Sequence, residues 1–332
     1  MKNELQFDTV VSSRVRFARN LADYPFFSKL TAKDAKEIIK KVGEVLGDGY
    51  TVRDFTKMPA VNAEKFVEDH VISPEFAGCT LPHALYEGGD NGCVKVMVIE
   101  EDHIRIQSIK PGFALDEAYK SALACDEMIN EGLNIAYDDE LGYLTHCPTN
   151  LGTAMRASVM MFLPALQRSG RLGEIVPQLS KLGMTIRGMY GEGSDSGASL
   201  FQISNQITLG VDEETVISKL GRIVEQISDY ERKARERYFS GAGDKFEDTV
   251  WRSVGIMKYA RAMSSEEYMK HYSNIRLGIS AGIVTGLTEE QLDAGFPEEM
   301  PANVIFRAGK QLSDPERDTA RAAHIREIMK AL

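Results

Sequence analysis

Alternating apolar and polar side chains predict a β-strand at residues 9–20, with Val15 facing one way and Arg14 and Arg16 the other. A helical period takes over at 31–46. Ile38, Ile39, Val42 and Leu46 form its apolar stripe, and Thr31 with Asp34 three positions on reads as the N-cap. Another helix ends within 66–74 and leaves His70 near a loop, where a histidine serves either as a hydrogen-bonded structural residue or as a ligand contact. Two β-rich runs, 93–99 and 104–109, flank the acidic tetrapeptide Glu100-Glu101-Asp102-His103, and an Ala-rich helix follows at 114–131.

Further on, Leu141, Tyr143 and Leu144 are strand-like, and Pro148, Thr149, Asn150 and Gly152 supply a turn and a helix start. Residues 154–166 then read as an apolar helix broken near Pro164, with Arg156 projecting from its first turns and Cys147 beside the turn. Such a junction either holds an anion at the helix N-terminus or merely packs a structural cysteine. A strand at 184–187 leads into 188–197, where four glycines make a mobile loop carrying Glu192, a ligand lid or an ordinary surface loop. Residues 200–209 read as a strand with Ile203, Ile207 and Leu209 on one side. One long helix is expected from 212 to 239, with Val216, Leu220, Ile223, Val224, Ile227 and Tyr230 buried and a solvated charged end at 231–237. The break at 240–243 divides the expected units, 9–239 and 244–332, and helices at 246–263, 265–274, 288–294 and 313–331 make the second one all-helical.

A chain of 332 residues with 43% hydrophobic content has enough apolar material for a normal core. Its four cysteines show neither metal-site spacing nor disulfide density, and no apolar run reaches the ~20 residues of a membrane span, so a cytoplasmic location without a membrane anchor is expected. A formal charge of −10 disfavours nonspecific binding to nucleic acid.

Five arginines stand out in the first unit: Arg14, Arg16, Arg105, Arg156 and Arg187. Two guanidiniums on one strand face repel unless they meet water or share an anion, so Arg14 and Arg16 mark either a solvated face or a polyphosphate clamp. Three adjacent carboxylates at 100–102 likewise make either a solvated hairpin tip or a site holding a cation. The sequence has no Walker loop and no GxGxxG followed by a catalytic lysine, so any phosphates must be held by arginines.

The stretches SSRVRFARN, EEDHIRI, CPTNLGTAMRAS and RGMYGE, in that order, resemble those of the ATP:guanidino phosphotransferases, the phosphagen kinases. The resemblance implies an α+β fold in which a largely antiparallel sheet is flanked by helices and followed by a small helical C-terminal domain. It implies ATP as phosphoryl donor with Mg2+, and nucleotide contacts at Ser12, Ser13, Arg14, Val15 and Arg16, at Arg105, and at Arg156, Ala157, Ser158, Val159 and Met160. It extends these to Arg187, Gly188, Met189, Tyr190, Gly191 and Glu192, with His70 near the base. Glu101 and Glu192 would hold the acceptor guanidinium, Cys147 would lie against it, and Glu101 would take its proton.

Small-substrate members carry a helical domain before the first motif, whereas eleven residues precede Ser12, which suggests an open acceptor side suited to arginines displayed on proteins. RDTARA at 317–322 looks like the phosphoarginine-binding motif of bacterial protein-arginine kinases, giving Arg317, Asp318, Arg321 and Ala322 that role; an exposed helix salt bridge is the alternative. The same resemblance implies a homodimer formed through the C-terminal helices, a zinc-binding activator protein and delivery of marked proteins to a Clp protease under stress. A kinase for free arginine or another small guanidino compound, and a non-catalytic phosphoarginine adaptor, are the competing readings. Two positions depart from the family pattern: Ile99 stands where Asn is usual, and His146 precedes Cys147.

Overall fold

The computed structural model describes residues 6–89, 92–189 and 197–331. An eight-stranded antiparallel sheet forms its centre. Its strands are β1 (Val10–Arg19), β2 (Tyr50–Asp54), β3 (Ala84–Gly88), β4 (Val94–Val98), β5 (Ile104–Pro111), β8 (Met155–Phe162), β9 (Met184–Gly188) and β10 (Leu200–Asn205). They lie in the order β2-β3-β4-β5-β1-β8-β10-β9, and a two-residue pair, β6 (Tyr137–Asp138) with β7 (Gly142–Tyr143), stands apart. Consecutive strands pair from β2 to β5 and again at β9 and β10, with β1, the first strand in the chain, inserted at the middle.

Strand alternation separates two faces. Val15, Phe17, Val96, Ile106, Ala157, Val159 and Ile203 point into the main core. That core is closed by α1 (Ala32–Leu46), α4 (Leu115–Gly132), α6 (Leu172–Lys181) and α7 (Glu213–Ala242). The expected capping of α1 is present: Thr31 and Asp34 form a reciprocal capping box, satisfying two otherwise orphaned amide donors. On the opposite face, α2 (Ala60–Glu68) and α3 (Pro74–Ala77) cover the β3–β4 side around Phe55, Phe76, Leu85 and Met97. The other side meets helices α8 (Asp244–Tyr259), α9 (Ser265–Ser280), α10 (Glu289–Gly295), α11 (Pro301–Ala308) and α12 (Asp314–Ile328), whose core includes Phe162, Leu200, Tyr272 and Ile325. Between these two covers the middle strands present their polar side chains.

Several sequence expectations are corrected. Residues 155–162 form the strand β8, not a helix; only Pro164–Arg168 is helical, as α5. Ala and Met favour helix, but β8 is paired on both edges, with β1 and β10, and its apolar face lies in the main core, so local propensity is overridden. The turn before it owes its path to a close approach of two glycines. A Cβ on Gly152, at φ +97°, would lie 2.2 Å from the Thr208 carbonyl, and one on Gly142 would lie 2.5 Å from the Gly152 carbonyl.

Strand β10 stops at Asn205, leaving Ile207 and Leu209 about half exposed. Helix α7 starts on Asp212, which accepts from Thr215 N at 2.7 Å, and its charged end is only partly solvated: Lys233, Glu236 and Arg237 are exposed, whereas Glu231 and Arg235 are not. Buried Glu231 accepts from Ala165 N and Leu166 N, capping α5, and pairs at 2.7 Å with buried Arg235, which also reaches the carbonyls of Phe162 and Asp8. Tyr230, expected inside, is exposed. Helix α11 was not signalled by the sequence pattern because Pro301 and a single buried turn are too short to show a period. Among the described residues no helix is long and apolar enough to cross a membrane.

Candidate active site

The register of the central strands puts four of the five arginines side by side. Arg14 lies opposite Ile109 and Ser158, Arg16 opposite Gln107 and Arg156, and Arg105 opposite Ala18, all on the face away from the main core. Arg187, on β9, pairs with Gln202 and joins the same face. The anion cradle is thus made of strand side chains, not of a helix N-terminus. The guanidiniums have few partners. Arg14 Nε reaches Ser158 Oγ at 3.4 Å and Arg156 reaches Ser204 Oγ at 3.1 Å, while Arg16 Nε is buried with no hydrogen bond. Burial, then the Arg156 and Arg105 charges, push Arg14 down to about 10; burial and the charges of Arg14, Arg105 and Arg156 hold Arg16 well below its ordinary range. A partly buried set of like charges with an unmet donor is a site shaped for a polyanion.

Alternation also sorts the remaining expected contacts. Ser12, Ser158 and Met160 line the cavity on the arginine face. Ser13 is buried on the other side, bonded to Gly112 O and Ala114 N, and Val15, Ala157 and Val159 lie in the main core. Those four side chains do not reach a nucleotide on the arginine face, and only their backbone is available to one. Gly188 and Met189 line the cavity, whereas Tyr190, Gly191 and Glu192 fall outside the described residues. The alternating reading did not extend to Gln202, which lines the cavity from β10; its polar position between Phe201 and Ile203 was the available signal.

The acidic segment is resolved into three roles. Glu100 is buried and pairs with Arg105 and Ser73. Asp102 is buried too, accepting from Asn20 Nδ2 and His146 N, each at 2.7 Å. Only Glu101 faces open space, 3.6 Å from Arg105, and burial and the Asp102 charge raise its carboxyl above the usual range. Ile99 occupies the turn at φ +70°, a left-handed conformation in which Asn is at ease and a β-branched residue is strained.

Two cavities meet across the arginines. One of about 850 Å³ holds Glu101, Arg16, Arg105, Arg156 and Cys147, with exposed Glu75, His146, Thr149 and Gln206 at its rim. Cys147 Sγ sits 3.0 Å from Thr149 Oγ1. The other, about 630 Å³, is bounded by Arg14, His70, Met160, Met189 and Gln202; Arg187 lines both. His70 is held at φ +59° by Gln107, which donates to its carbonyl at 2.8 Å. Burial and the Arg14 charge push its imidazole down to about 4, so it is neutral, and Nε2 has no partner.

The family model described as ATP:guanido phosphotransferase, C-terminal catalytic domain, matches residues 33–234. The chain belongs to the ATP:guanido phosphotransferase family. A second model, the protein-arginine kinase McsB C-terminal domain, matches residues 243–332. Curated relatives include the protein-arginine kinase of Caldanaerobacter subterraneus subsp. tengcongensis, 40% identical over 96% of both chains, and that of Bacillus subtilis, 40% identical over 96% of this chain and 90% of the other. Among solved structures, the duplicated taurocyamine kinase of Schistosoma mansoni with bound transition-state analogue components superposes with a TM-score of 0.63 at 25% identity, over 80% of this chain and 38% of that one. A lombricine kinase shares the fold, with a TM-score of 0.58 at 24% identity over 68% of this chain and 67% of the other. The phosphotransferase fold and its ATP dependence thus join the arginine cradle described above.

The RDTARA segment lies on α12. Arg321 does not share an open grip with Arg317: it is buried, donating to the carbonyls of Glu299 (2.6 Å) and Met263 (2.7 Å), to Ser265 Oγ and to Asp318. Ala322 is in the core, and Arg317 pairs with Asp314 at the surface.

Proposed function

We propose that the protein is an ATP-dependent kinase that transfers the γ-phosphoryl group of ATP to arginine side chains of proteins. The observation that carries the reading is Glu101, the carboxylate of the acidic segment left facing open space, set at the junction of a partly buried arginine cradle and a wide acceptor cavity. Relatives sharing about two-fifths of its residues along nearly the full chain are protein-arginine kinases.

The chemistry suits the residues. A guanidinium with a pKa above ~12 is no nucleophile until a base takes a proton from it. Glu101 orients the incoming nitrogen and accepts that proton as the P–N bond forms and the γ-phosphorus–oxygen bond to ADP breaks. Arg14, Arg16, Arg105, Arg156 and Arg187 hold the phosphates in line and offset the charge that develops, so rate comes from alignment and electrostatics. Glu100 is already committed to Arg105, so a Mg2+ ion would be carried mainly by phosphate oxygens beside Glu101, supplying further charge neutralisation. Cys147 lines the acceptor side, and Glu192, outside the described residues, is assigned to the acceptor guanidinium from its motif alone.

A phosphoarginine site on α12 rests on Arg317 and Asp318, with buried Arg321 holding Asp318. A cytoplasmic homodimer joined through the C-terminal helices, a zinc-binding activator and delivery to a Clp protease under stress belong to the same reading. Incubation with ATP, Mg2+ and either free arginine or an arginine-rich protein tests it: acid-labile phosphate should appear on the protein, and label confined to free arginine overturns it.

A further inference from the structure

The second cavity is not built by the catalytic sheet alone. Helix α10, 80 residues beyond β10, contributes Glu290, Asp293 and Ala294 to the same space that holds Arg14 and His70. With the phosphates on the arginines and the acceptor beside Glu101, the nucleoside must extend the other way, past Arg14 and Arg187 into this cavity. Its walls suit that load. Val11, Ile109, Met160 and Met189 offer apolar surface to a base, and His70 Nε2, shut away from water without a partner, offers one polar contact.

A nucleoside also carries a sugar diol, and a carboxylate accepting from both hydroxyls is the usual way to hold one. Three acids line the cavity. Asp69 is engaged by Lys65 and by Asn303 Nδ2 at 2.9 Å. Asp293 is engaged by Arg276, with two contacts of 2.7 Å, and by Tyr272 at 2.5 Å. Glu290 is exposed and, among the described residues, has no hydrogen-bond or ion-pair partner. Its backbone is nevertheless fixed. Three residues on, Asp293 ties α10 to Arg276, which in turn reaches the Phe7 carbonyl at 2.9 Å. On the same side of the cavity, Glu68 caps α11 through Ala302 N and Asn303 N, both at 2.8 Å, two residues before His70.

We infer that Glu290 on α10 receives the ribose hydroxyls of ATP, so that the C-terminal helices complete the nucleoside half of the site. This rests on the kinase reading and adds a residue and a ligand group to it. The nucleoside would bridge the catalytic sheet and the C-terminal helices, which links nucleotide affinity to how those helices are seated.

The test compares binding of ATP, 2′-deoxy-ATP and inorganic tripolyphosphate to the full chain by calorimetry, for wild type, Glu290→Ala and Glu290→Asp. A hydrogen bond to a charged group suggests that wild type holds ATP at least about tenfold tighter than 2′-deoxy-ATP. Glu290→Ala should lose that margin while binding of 2′-deoxy-ATP falls far less and tripolyphosphate is unchanged, and Glu290→Asp should recover part of it. A wild-type chain that binds ATP and 2′-deoxy-ATP equally overturns the ribose assignment and leaves the kinase reading standing. An equal loss for all three ligands in Glu290→Ala also overturns it, and a wild-type chain that binds none of them overturns both.

Discussion

Replacing Arg16 with methionine should stabilise the ligand-free protein and abolish its response to ATP. Arg16 has a buried Nε without a partner, and Arg14 and Arg156 lie next to it in the register. Neighbours two residues apart on a strand are about 6.6 Å apart, and directly opposed residues about 5 Å. At an effective dielectric constant near 20 each such repulsion is on the order of 2–3 kcal/mol, and the attraction of Glu100 offsets roughly one of them. A net gain of about 2 kcal/mol on removing the charge falls in the range seen when buried ions are replaced by apolar residues. For a chain of 332 residues it corresponds to a rise in Tm of about 3 °C. ATP at a hundred times its Kd should stabilise wild type by about 2.7 kcal/mol. If Arg16 supplies roughly 3 kcal/mol of phosphate binding, the variant at the same ATP concentration gains only about 0.3 kcal/mol. Scanning calorimetry with and without ATP reads both effects. A lower Tm for ligand-free Arg16→Met, or an undiminished ATP increment, would refute the reasoning.

Three further outcomes are expected. Glu101→Gln should lower phosphoryl transfer by roughly 10²–10⁴-fold while the ATP-induced Tm shift persists, and the acid limb of the wild-type pH–rate profile should lie above the ordinary carboxylate range; full activity removes Glu101 as the base. His70 is neutral when folded and titrates near 6.5 when unfolded, so stability present above that pH is lost as pH falls towards about 4, by up to about 3 kcal/mol. His70→Asn, which tolerates the same φ, should flatten that part of the Tm–pH curve, and an identical curve contradicts it. Arg321→Ala strands two buried carbonyls and should cost about 3 kcal/mol or more in urea unfolding, whereas Arg317→Ala, which loses one surface pair, should change stability by less than about 1 kcal/mol; equal effects would place both residues at the surface.

Local alternation was enough to put Arg14 and Arg16 on one face of β1 and Val15 on the other, and the Thr31–Asp34 pair marked the start of α1. The four motifs named the family because their residue types are chemical requirements of phosphate and guanidinium binding. Periodicity could not say which strands would flank 155–162, since β1 and β10 come from about 140 residues before and 45 after in the chain. Paired on both edges and packed against the main core, that segment is a strand despite helix-favouring Ala and Met. The same limit explains Glu231, Arg235 and Arg321, whose charged types predict solvent until distant amides and carbonyls arrive to satisfy them. The chain's own chemistry therefore determined the family and set apart the arginines and the acidic segment that make the candidate site. Only the tertiary structure decided which side of each strand faces the arginines, and that a helix near the C-terminus walls the cavity beyond Arg14, because those facts depend on partners that no local window contains.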